Sequence, residues 1–341
     1  MKVPELFVKE DFSFLPEALG EEKEVFLVYD SNVECFAQEV AATVPLKGKM
    51  AITATEAQKT MDTVLAICRF LLEGGADRGA LVLALGGGVT TDMAGFAACI
   101  FKRGIRFATL PTTLLSQVDA GIGGKTGVNL DGYKNILGRI QQPEFVYTAS
   151  ETLRTLPQAE FRSGLAEMLK TFIISDAPHY RRALELIGSG RPVDTELIRA
   201  AAQIKCGVVE RDEFETGERR VLNLGHTVGH AVEWWQACTQ AERHYSHGEA
   251  VAIGTIQAAK LSEALGVCKR GLAAQLEADF RAAGLPTECP VPAGVMEKAI
   301  GKDKKAVGSS IHFVLIKDIG KVEVRLMPVE QVISLLNVCN I

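Results

Sequence analysis

Short apolar runs alternate with amphipathic stretches through the first half of the chain. Buried strands are indicated by VFLVY at 25–29, LVLAL at 81–85 and RFATL at 106–110, with a shorter strand near 50–52. A long amphipathic helix is expected from about Thr55 to Glu73. Apolar strands separated by helices predict a parallel, doubly wound α/β sheet of the Rossmann type.

The pattern changes after about Pro157, where helical periodicity replaces the apolar runs. The segments with this periodicity are 158–174, 194–210, 222–236, 247–265 and 271–283. Near the end, two alternating runs at 311–317 and 321–326 flank Asp318-Ile319-Gly320 and indicate a β-hairpin. We therefore expect an α/β domain over 1–157, a mostly α-helical domain over 158–341, and a cleft between them.

Composition narrows the class of protein. A length of 341 residues fits two domains, and 47% hydrophobic with 23% charged residues is typical of a globular enzyme. A net charge of −5 and 6% aromatic residues argue against nucleic acid and anionic membranes as partners. The chain has no apolar run long enough for a membrane span, and the acidic N-terminal stretch does not resemble a signal peptide. Its eight cysteines form no C-x-x-C pair, which favours reduced thiols in the cytoplasm.

A glycine turn follows the strand at 81–85. Gly86-Gly87-Gly88 precedes Val89-Thr90-Thr91-Asp92 and opens a helix, so its backbone can approach a pyrophosphate. The spacing is not G-x-G-x-x-G, and an ordinary tight turn explains the glycines equally well. Asp30 and Asn32, after the first strand, are candidates for a ribose hydroxyl, although spacing alone favours a helix cap.

Four of the six histidines lie within 22 positions, in LNLGHTVGHAVE and HYSHGE. Such clustering favours a metal site over isolated, hydrogen-bonded histidines. Spacing alone would pair His226 with His230, which lie four apart on one helical face. Glu167, among apolar neighbours, is a candidate carboxylate ligand, with a surface glutamate as the alternative.

The basic residues suggest an anionic ligand. Lys125 lies in a glycine-rich segment, 119–127, which is too irregular for a helix or strand and is expected to form an anion-binding loop. The segment does not match a Walker motif. For each basic residue taken alone, a solvated surface position is favoured over a ligand contact. Lys170 is the exception, because it lies one turn after Glu167 on a largely apolar helix. The other candidates are Lys134, Lys170, Lys205, Arg219 and the run Lys302–Lys305, with Asn135 beside Lys134.

Taken together, four blocks resemble the dehydroquinate synthase family over roughly residues 25–320. They are GGGVTTDMAGFAACIFKRG, LPTTLLSQVDAGIGGKTGVN with GYKN, GLAEMLK, and LNLGHTVGHAVE with HGEAVAIG. The resemblance implies an N-terminal NAD domain, a C-terminal helical metal domain, and a cytosolic enzyme that is usually a homodimer. It also implies NAD and Zn²⁺ as cofactors, with Co²⁺ able to replace zinc.

The reaction implied by the resemblance converts 3-deoxy-arabino-heptulosonate 7-phosphate to 3-dehydroquinate and phosphate, in the shikimate pathway. A ring hydroxyl is oxidised transiently, phosphate is eliminated, hydride returns, and an aldol closure forms the carbocycle. NAD is therefore recycled at each turnover. The leaving phosphate can itself take the proton, so the elimination demands no dedicated protein base.

The resemblance also implies the site residues. The zinc ligands fall on Glu167, His226 and His247, which replaces the pair suggested by spacing. NAD contacts fall on Asp30, Asn32, Glu56, Lys59, Gly87, Gly88, Asp92, Thr112, Thr113 and Thr155. Substrate contacts fall on Arg103, Asp119, Lys125, Lys134, Asn135, Lys170, Lys205, Arg219, Asn223, His230 and one of Lys304 and Lys305.

The sequence departs from the family pattern at two places, and three other functions are considered. Ser163 stands where some relatives carry Asn, and the loop between His230 and His247 is longer than in some relatives. One alternative is a sister cyclase acting on a non-acidic sugar phosphate, against which the retained Asn223 and Lys304/Lys305 argue. The second is a metal-dependent polyol dehydrogenase, which would form NADH. The third is a non-catalytic sugar-phosphate-binding regulator, against which the intact ligand set argues.

Overall fold

The structure is a computed structural model that describes residues 4–22, 24–190, 193–239, 241, 243–301, 306–307 and 310–339. The described residues divide into two compact units. Unit 1 comprises Met1–Pro157 with Asp194–Cys206, and unit 2 comprises Gln158–Val193 with Gly207–Ile341. Among the described helices, none is both long and apolar enough to cross a bilayer.

The segment 194–206 is the one place where the units differ from the predicted domains. Its helical periodicity predicted that it belongs to the second domain, but the structure places it in unit 1. The reason is the apolar face of its helix, on which Ala202 packs against Ile122 and Val146. Arg199 adds a hydrogen bond to the carbonyl of Val8, at 2.8 Å.

In the described part of unit 1, six parallel strands form one sheet in the order β1-β8-β5-β4-β2-β3. The strands are β1 (Glu5–Lys9), β2 (Val25–Asp30), β3 (Gly48–Ile52), β4 (Leu81–Gly86), β5 (Arg106–Pro111) and β8 (Phe145–Ala149). Strands β6 (Lys125–Leu130) and β7 (Tyr133–Ile140) form a separate antiparallel hairpin. Helices α1 (Leu15–Leu19), α2 (Glu34–Thr43), α3 (Met61–Glu73) and α4 (Gly88–Ile100) complete this part.

Alternate residues of the central strands enter two different cores. Val82 and Ala84 of β4 pack on one face with α3 and α4, whereas Leu81, Leu83 and Leu85 pack on the other face with α2. All five side chains are buried, which is why the strand is apolar at every position. The doubly wound, parallel α/β fold predicted from the sequence is confirmed.

Two local predictions in unit 1 were incomplete. The expected helix from about Thr55 to Glu73 is divided, because a 3₁₀ turn at Glu56–Gln58 precedes the Thr60 cap of α3. The glycine-rich segment 119–127 was expected to be irregular, but Lys125 begins strand β6. Ser116–Ala120 before it forms a π-helical turn. The prediction failed because the partner strand β7 is largely exposed and its apolar residues do not alternate with polar ones, so no strand pattern marks the hairpin.

Unit 2 is mostly helical. Its helices are α5 (Gln158–Ser175), α6 (Ala177–Gly188), α8 (His226–Cys238), α9 (His247–Ala264), α10 (Leu272–Ala282), α11 (Ala293–Gly301) and α12 (Val329–Cys339). Helix α7 (Thr195–Arg211) begins in unit 1 and ends in unit 2. Strands β10 (Ser310–Asp318) and β11 (Lys321–Pro328) form the predicted hairpin, and β9 (Ala306–Val307) pairs with β10.

Glycines allow helix α9 to approach its neighbours at backbone distance. A Cβ on Gly248 would lie 2.0 Å from the carbonyl oxygen of Ser163 in α5. A Cβ on Gly254 would lie 1.9 Å from the carbonyl oxygen of Gly225, which precedes α8. Since no real Cβ tolerates such distances, both positions require glycine. These contacts set the spacing of α5, α8 and α9.

We predict that Gly254→Ala destabilises the protein by about 1–3 kcal/mol or more, because the added methyl group overpacks a backbone contact. Gly188→Ala is the matched control, since a Cβ there meets nothing within 4 Å at the exposed end of α6. Its effect should stay within about 0.5 kcal/mol. Chemical unfolding followed by circular dichroism measures both variants, and equal stability of the two would contradict the packing argument.

Candidate active site

Three helices of unit 2 bring one carboxylate and two imidazoles together. Glu167 lies in α5 and is fully buried, while His226 and His247 are the first residues of α8 and α9. One ligand atom from each residue lies within 4.8 Å of the others. The Nε2 atoms of His226 and His247 lie 3.9 and 3.6 Å from Glu167 Oε1. This donor set fits a divalent metal, and zinc in particular.

The carboxylate of Glu167 divides its two oxygens between different partners. Oε1 faces the two imidazoles, and Oε2 forms a close ion pair with the ammonium of Lys170. Neither oxygen accepts a well-directed hydrogen bond from the residues that the structure describes. A buried charge in this condition needs further compensation. A cation at Oε1 would supply it.

The second ring nitrogen of each histidine also has a partner. His226 Nδ1 lies 3.2 Å from the carbonyl oxygen of Leu224, and His247 Nδ1 lies 3.5 Å from Glu233 Oε1. Because a carbonyl can only accept, Nδ1 of His226 donates and its Nε2 is left for a metal. Outer carboxylates and carbonyls of this kind orient metal-binding histidines. Sequence reasoning missed Glu233, although its position seven residues after His226 places it on the same helical face.

His230 lies next to the three-residue cluster but is not part of it. Its ring centroid is 5.5 Å from that of His226 and 6.5 Å from that of His247. The pair suggested by spacing alone, His226 with His230, is therefore not the set that converges with Glu167. Spacing along one helix predicts which residues of that helix share a face. It does not predict which residues of other helices, such as Glu167 and His247, lie close to them.

Ser163, one of the two departures noted in the sequence, contacts the cluster indirectly. Its hydroxyl accepts a 3.0 Å hydrogen bond from the backbone N–H of Gly248, directly after His247. The serine at position 163 therefore contacts the start of α9, directly after His247.

A loop stabilised by Asp212 carries Arg219, one of the predicted substrate residues. The Asp212 carboxylate accepts hydrogen bonds from the backbone N–H groups of Thr216, Gly217 and Arg219. Burial opposes ionisation, but these bonds prevail and lower the pKa of Asp212 to about 2. Arg219 is buried and donates to the carbonyl of Glu213.

Asn223 follows this loop and donates a 2.6 Å hydrogen bond to Glu215 Oε1. The contact orients the Asn223 amide. Glu215 has a left-handed backbone, with φ of 59°. Sequence reasoning did not single out Glu215 or Asp212, because both are single acidic residues in an irregular segment.

In unit 1, the glycine turn lies where strand β4 ends and helix α4 begins. A Cβ on Gly86 would lie 2.5 Å from Thr90 Oγ1, and one on Gly88 would lie 3.0 Å from Ala120 Cβ. Gly87 similarly approaches Thr113, while Thr112 donates its N–H to the carbonyl of Gly86. The amides of the first turn of a helix lack intrahelical acceptors. This closely packed turn therefore fits a phosphate group.

Two further predicted NAD residues have the local role that spacing favoured. Asp30 is the N-cap of the 3₁₀ turn Ser31–Val33, and its Oδ1 accepts hydrogen bonds of 3.0 Å from both the backbone and the side chain of Asn32. A third predicted NAD residue, Thr155, ends the 3₁₀ helix Ser150–Thr155.

Arg103, a predicted substrate residue, is exposed in the turn after α4, with φ of 70°. The contacts of Asp30, Asn32, Thr155 and Arg103 with ligands stay predictions.

Lys59 connects a nucleotide residue to a substrate residue. Its buried ammonium lies 2.6 Å from Asp92 Oδ2 and donates a 2.6 Å hydrogen bond to Asn135 Oδ1. Burial raises the pKa of Asp92 to about 6, although the positive charge of Lys59 counteracts the rise. The structure thus brings together residues that the sequence assigned to different ligands.

The remaining basic residues of unit 1 differ in exposure. Lys205 is buried, contacts the Asp119 carboxylate and donates a 2.7 Å hydrogen bond to the Asp119 carbonyl. Lys125 and Asp92 line one small cavity, whereas Lys134 is exposed on the hairpin. Lys304 and Lys305 lie outside the described residues.

The sequence matches two models of one protein family. The model for 3-dehydroquinate synthase N-terminal matches residues 49–163, and the model for 3-dehydroquinate synthase C-terminal matches residues 164–306. The chain belongs to the 3-dehydroquinate synthase family. The resemblance drawn from the four sequence blocks is confirmed.

Individual relatives of the 3-dehydroquinate synthase family agree. The 3-dehydroquinate synthase of Geobacter metallireducens is 43% identical over 289 residues, which cover 83% of this chain and 78% of that protein. A solved 2-epi-5-epi-valiolone synthase from Streptomyces hygroscopicus, with NAD+ and Zn2+ bound, matches with a TM-score of 0.87 and 26% identity. That match covers 99% of this chain and 97% of the other.

A second solved structure shows the fold alone. It is a 2-deoxy-scyllo-inosose synthase, with a TM-score of 0.83 and 22% identity, covering 97% of this chain and 95% of the other. The predicted fold class, an α/β domain followed by a helical one, is thus shared with cyclases related to 3-dehydroquinate synthase.

We predict that Glu233→Gln weakens metal binding by roughly 10–100-fold, because the charged partner that orients His247 is replaced by a neutral one. Competition with a chromophoric chelator measures the affinity. His226→Ala serves as the reference for loss of a ligand and should reduce binding further. Wild-type affinity in Glu233→Gln would show that the carboxylate does not orient His247.

Asp92 should give the protein a pH-dependent stability. Its pKa in the folded state, about 6, exceeds the ordinary value of 3.8, so the folded state holds the proton more tightly. Ionisation of Asp92 therefore lowers the free energy of unfolding as pH rises between these values. Asn does not ionise, so Asp92→Asn does not lose this stability as pH rises. The free energy of unfolding of the variant minus that of the wild type should therefore increase by on the order of 1–3 kcal/mol across that pH interval. Denaturant titrations across the interval test the slope, and a constant difference would contradict it.

Proposed function

We propose that the protein converts 3-deoxy-arabino-heptulosonate 7-phosphate to 3-dehydroquinate and phosphate, with NAD and zinc as cofactors. The observation that carries the proposal is the convergence of Glu167, His226 and His247 in a chain that both family models match. A regulator that only binds sugar phosphates would have no need for this buried donor set.

The donor set fits a catalytic zinc, which keeps positions for substrate oxygens beside three protein ligands. Glu167 contributes the buried carboxylate whose Oε1 accepts no hydrogen bond from the described residues, and the two histidines contribute Nε2. Bound zinc supplies a Lewis acid for charge on a substrate oxygen, and bound NAD supplies a reversible hydride acceptor.

We propose that Lys170 acts at the metal site. Its ammonium is buried, pairs with Glu167 and donates a 2.9 Å hydrogen bond to the carbonyl of Leu222. We propose that it holds the Glu167 carboxylate in place and adds positive charge to the site. We also propose that Lys170 contacts the substrate. Its ammonium would then bind the substrate and Glu167 at the same time.

Phosphate binding requires cations that remain accessible. Lys125 and Lys134 are exposed, and Arg103 is exposed at the end of the turn after α4. We propose that such side chains hold the phosphate and stabilise the charge that develops as it leaves. Because the leaving phosphate can take the proton, the elimination itself needs no additional protein base.

A carboxylate on the substrate separates this reaction from that of the sister cyclases. We propose that Asn223, Arg219 and one of Lys304 and Lys305 recognise the substrate's polar groups, including its carboxylate. In support, Asn223 is oriented by Glu215, and Arg219 is fixed by the loop that Asp212 stabilises. Lys304 and Lys305 lie outside the described residues.

We further propose a cytoplasmic homodimer, as the family resemblance implies. The seven cysteines whose side chains the structure describes are all free, which is compatible with a reducing compartment. Size-exclusion chromatography with light scattering tests the dimer.

The proposed reaction is tested with purified protein, zinc, a substoichiometric amount of NAD and the heptulosonate phosphate. We expect phosphate release and carbocycle formation beyond the NAD supplied, with no net NADH. A parallel reaction with a non-acidic heptulose phosphate should be much slower. Faster turnover of the non-acidic sugar would favour a sister cyclase, and stoichiometric NADH with a polyol would favour a dehydrogenase.

His247→Ala should abolish metal retention and activity while NAD binding by unit 1 survives, because the ligand lies in unit 2. Metal content is measured by mass spectrometry after dialysis, and NAD binding by calorimetry. Stoichiometric zinc and full activity in this variant would disprove the ligand assignment.

A further inference from the structure

Asn129 lies at an irregularity in the β6–β7 hairpin. The strand register shifts between Val128 and Leu130, so Asn129 is not paired with a residue of β7. Its backbone N–H instead donates a 2.9 Å hydrogen bond to the carbonyl of Lys59. A bulge of this kind redirects a side chain at a functional edge of a sheet. The family resemblance assigned no role to this residue.

The amide side chain of Asn129 contacts two different segments. Nδ2 donates to Glu56 Oε1 at 2.8 Å and approaches the Glu56 carbonyl at 3.3 Å. Oδ1 accepts a 2.8 Å hydrogen bond from the backbone N–H of Asn135. Both ends of the amide are thus used, and only one orientation of the amide satisfies both partners, because a carboxylate accepts and an N–H donates.

Asn135 depends on this contact for its conformation. Its backbone is left-handed, with φ of 51°, a conformation uncommon outside glycine but tolerated by Asn. The contact with Asn129 satisfies its N–H, and its side-chain oxygen accepts from Lys59. Lys59 in turn contacts Asp92.

We infer that Asn129 is a positioning residue that fixes the NAD-binding segment around Glu56 and Lys59 and the substrate-binding segment at Asn135 relative to each other. The inference rests on the proposed function, since that proposal assigns ligands to the two segments. Asn129 touches neither ligand; it acts through Glu56 on one side and through Asn135 on the other. The two contacts use different atoms, so they are separable by mutation.

Asn129→Asp separates them. A carboxylate retains an oxygen for the Asn135 N–H but places a negative charge against Glu56 Oε1, where a donor stood. We expect the dissociation constant for NAD to rise about 3- to 30-fold, while KM for the heptulosonate phosphate changes less than about twofold at saturating NAD. Asn129→Ala loses both contacts and should weaken NAD binding and raise KM.

A second substitution tests the contact with Glu56 directly. In Glu56→Gln, the new amide can donate to a carboxylate at position 129. Asn129→Asp should therefore cost no NAD affinity when it is introduced into the Glu56→Gln background. This reversal distinguishes a specific contact from a general loss of folding, which no second mutation of that kind would restore.

Asp131→Asn is the matched control. Asp131 is exposed in the turn of the same hairpin, and the change also alters one charge while Asn keeps the left-handed conformation. NAD affinity and KM should both stay at wild-type values. Circular dichroism and thermal midpoints of all variants confirm that they are folded.

NAD affinity is measured by calorimetry without substrate, so the inference and the proposed function can fail separately. Wild-type NAD affinity in Asn129→Asp, or no reversal by Glu56→Gln, would overturn the inference even in an active cyclase. If the wild type does not turn over the heptulosonate phosphate but the NAD results follow the expected pattern, the proposed function fails. The link between Asn129 and the nucleotide segment would then stand.

Discussion

Glu167 carries its charge in the middle of a helix that is buried on both sides of it, and the arrangement of unit 2 follows from the need to compensate that charge. Lys170, one turn later, pairs with one carboxylate oxygen. The other oxygen faces His226 and His247, which are the first residues of their helices. A divalent metal at this position would convert an expensive buried carboxylate into a ligand.

The backbone is built to keep these groups in place. Gly248 directly follows His247 and contacts α5, the helix that carries Glu167. Gly254 contacts Gly225, which directly precedes His226. Gly225 and Gly248 thus adjoin His226 and His247, so the close packing of the helices also positions the two histidines. Glu233 and the carbonyl of Leu224 then orient the two rings.

Much of the fold could be predicted from the sequence because its signals are local. The apolar strands β2, β4 and β5, the helices α5 and α7 to α10, and the final hairpin each repeat a short pattern. The shorter helices α6, α11 and α12 were not predicted. The β6–β7 hairpin was not predicted because β7 is largely exposed and its apolar residues do not alternate with polar ones. The start of α7 was predicted to lie in the second domain because periodicity does not specify what a helix packs against.

The candidate site shows the same limit. Clustering and family resemblance indicated Glu167, His226 and His247, whereas helical spacing alone paired His226 with His230. The contacts of Asn129 with Glu56, and of Lys59 with Asp92, join residues far apart in the chain. No sequence pattern reports such hydrogen bonds, and only folding brings these residues together.

The most direct measurement is the thermal midpoint of the metal-free protein with and without zinc, in wild type and in Glu167→Gln. If Glu167 requires a cation, zinc should stabilise the wild type by about 3–4 kcal/mol at 100 to 1,000 times its dissociation constant. It should leave the midpoint of Glu167→Gln nearly unchanged. Equal stabilisation of both proteins, or none of the wild type, would contradict the account.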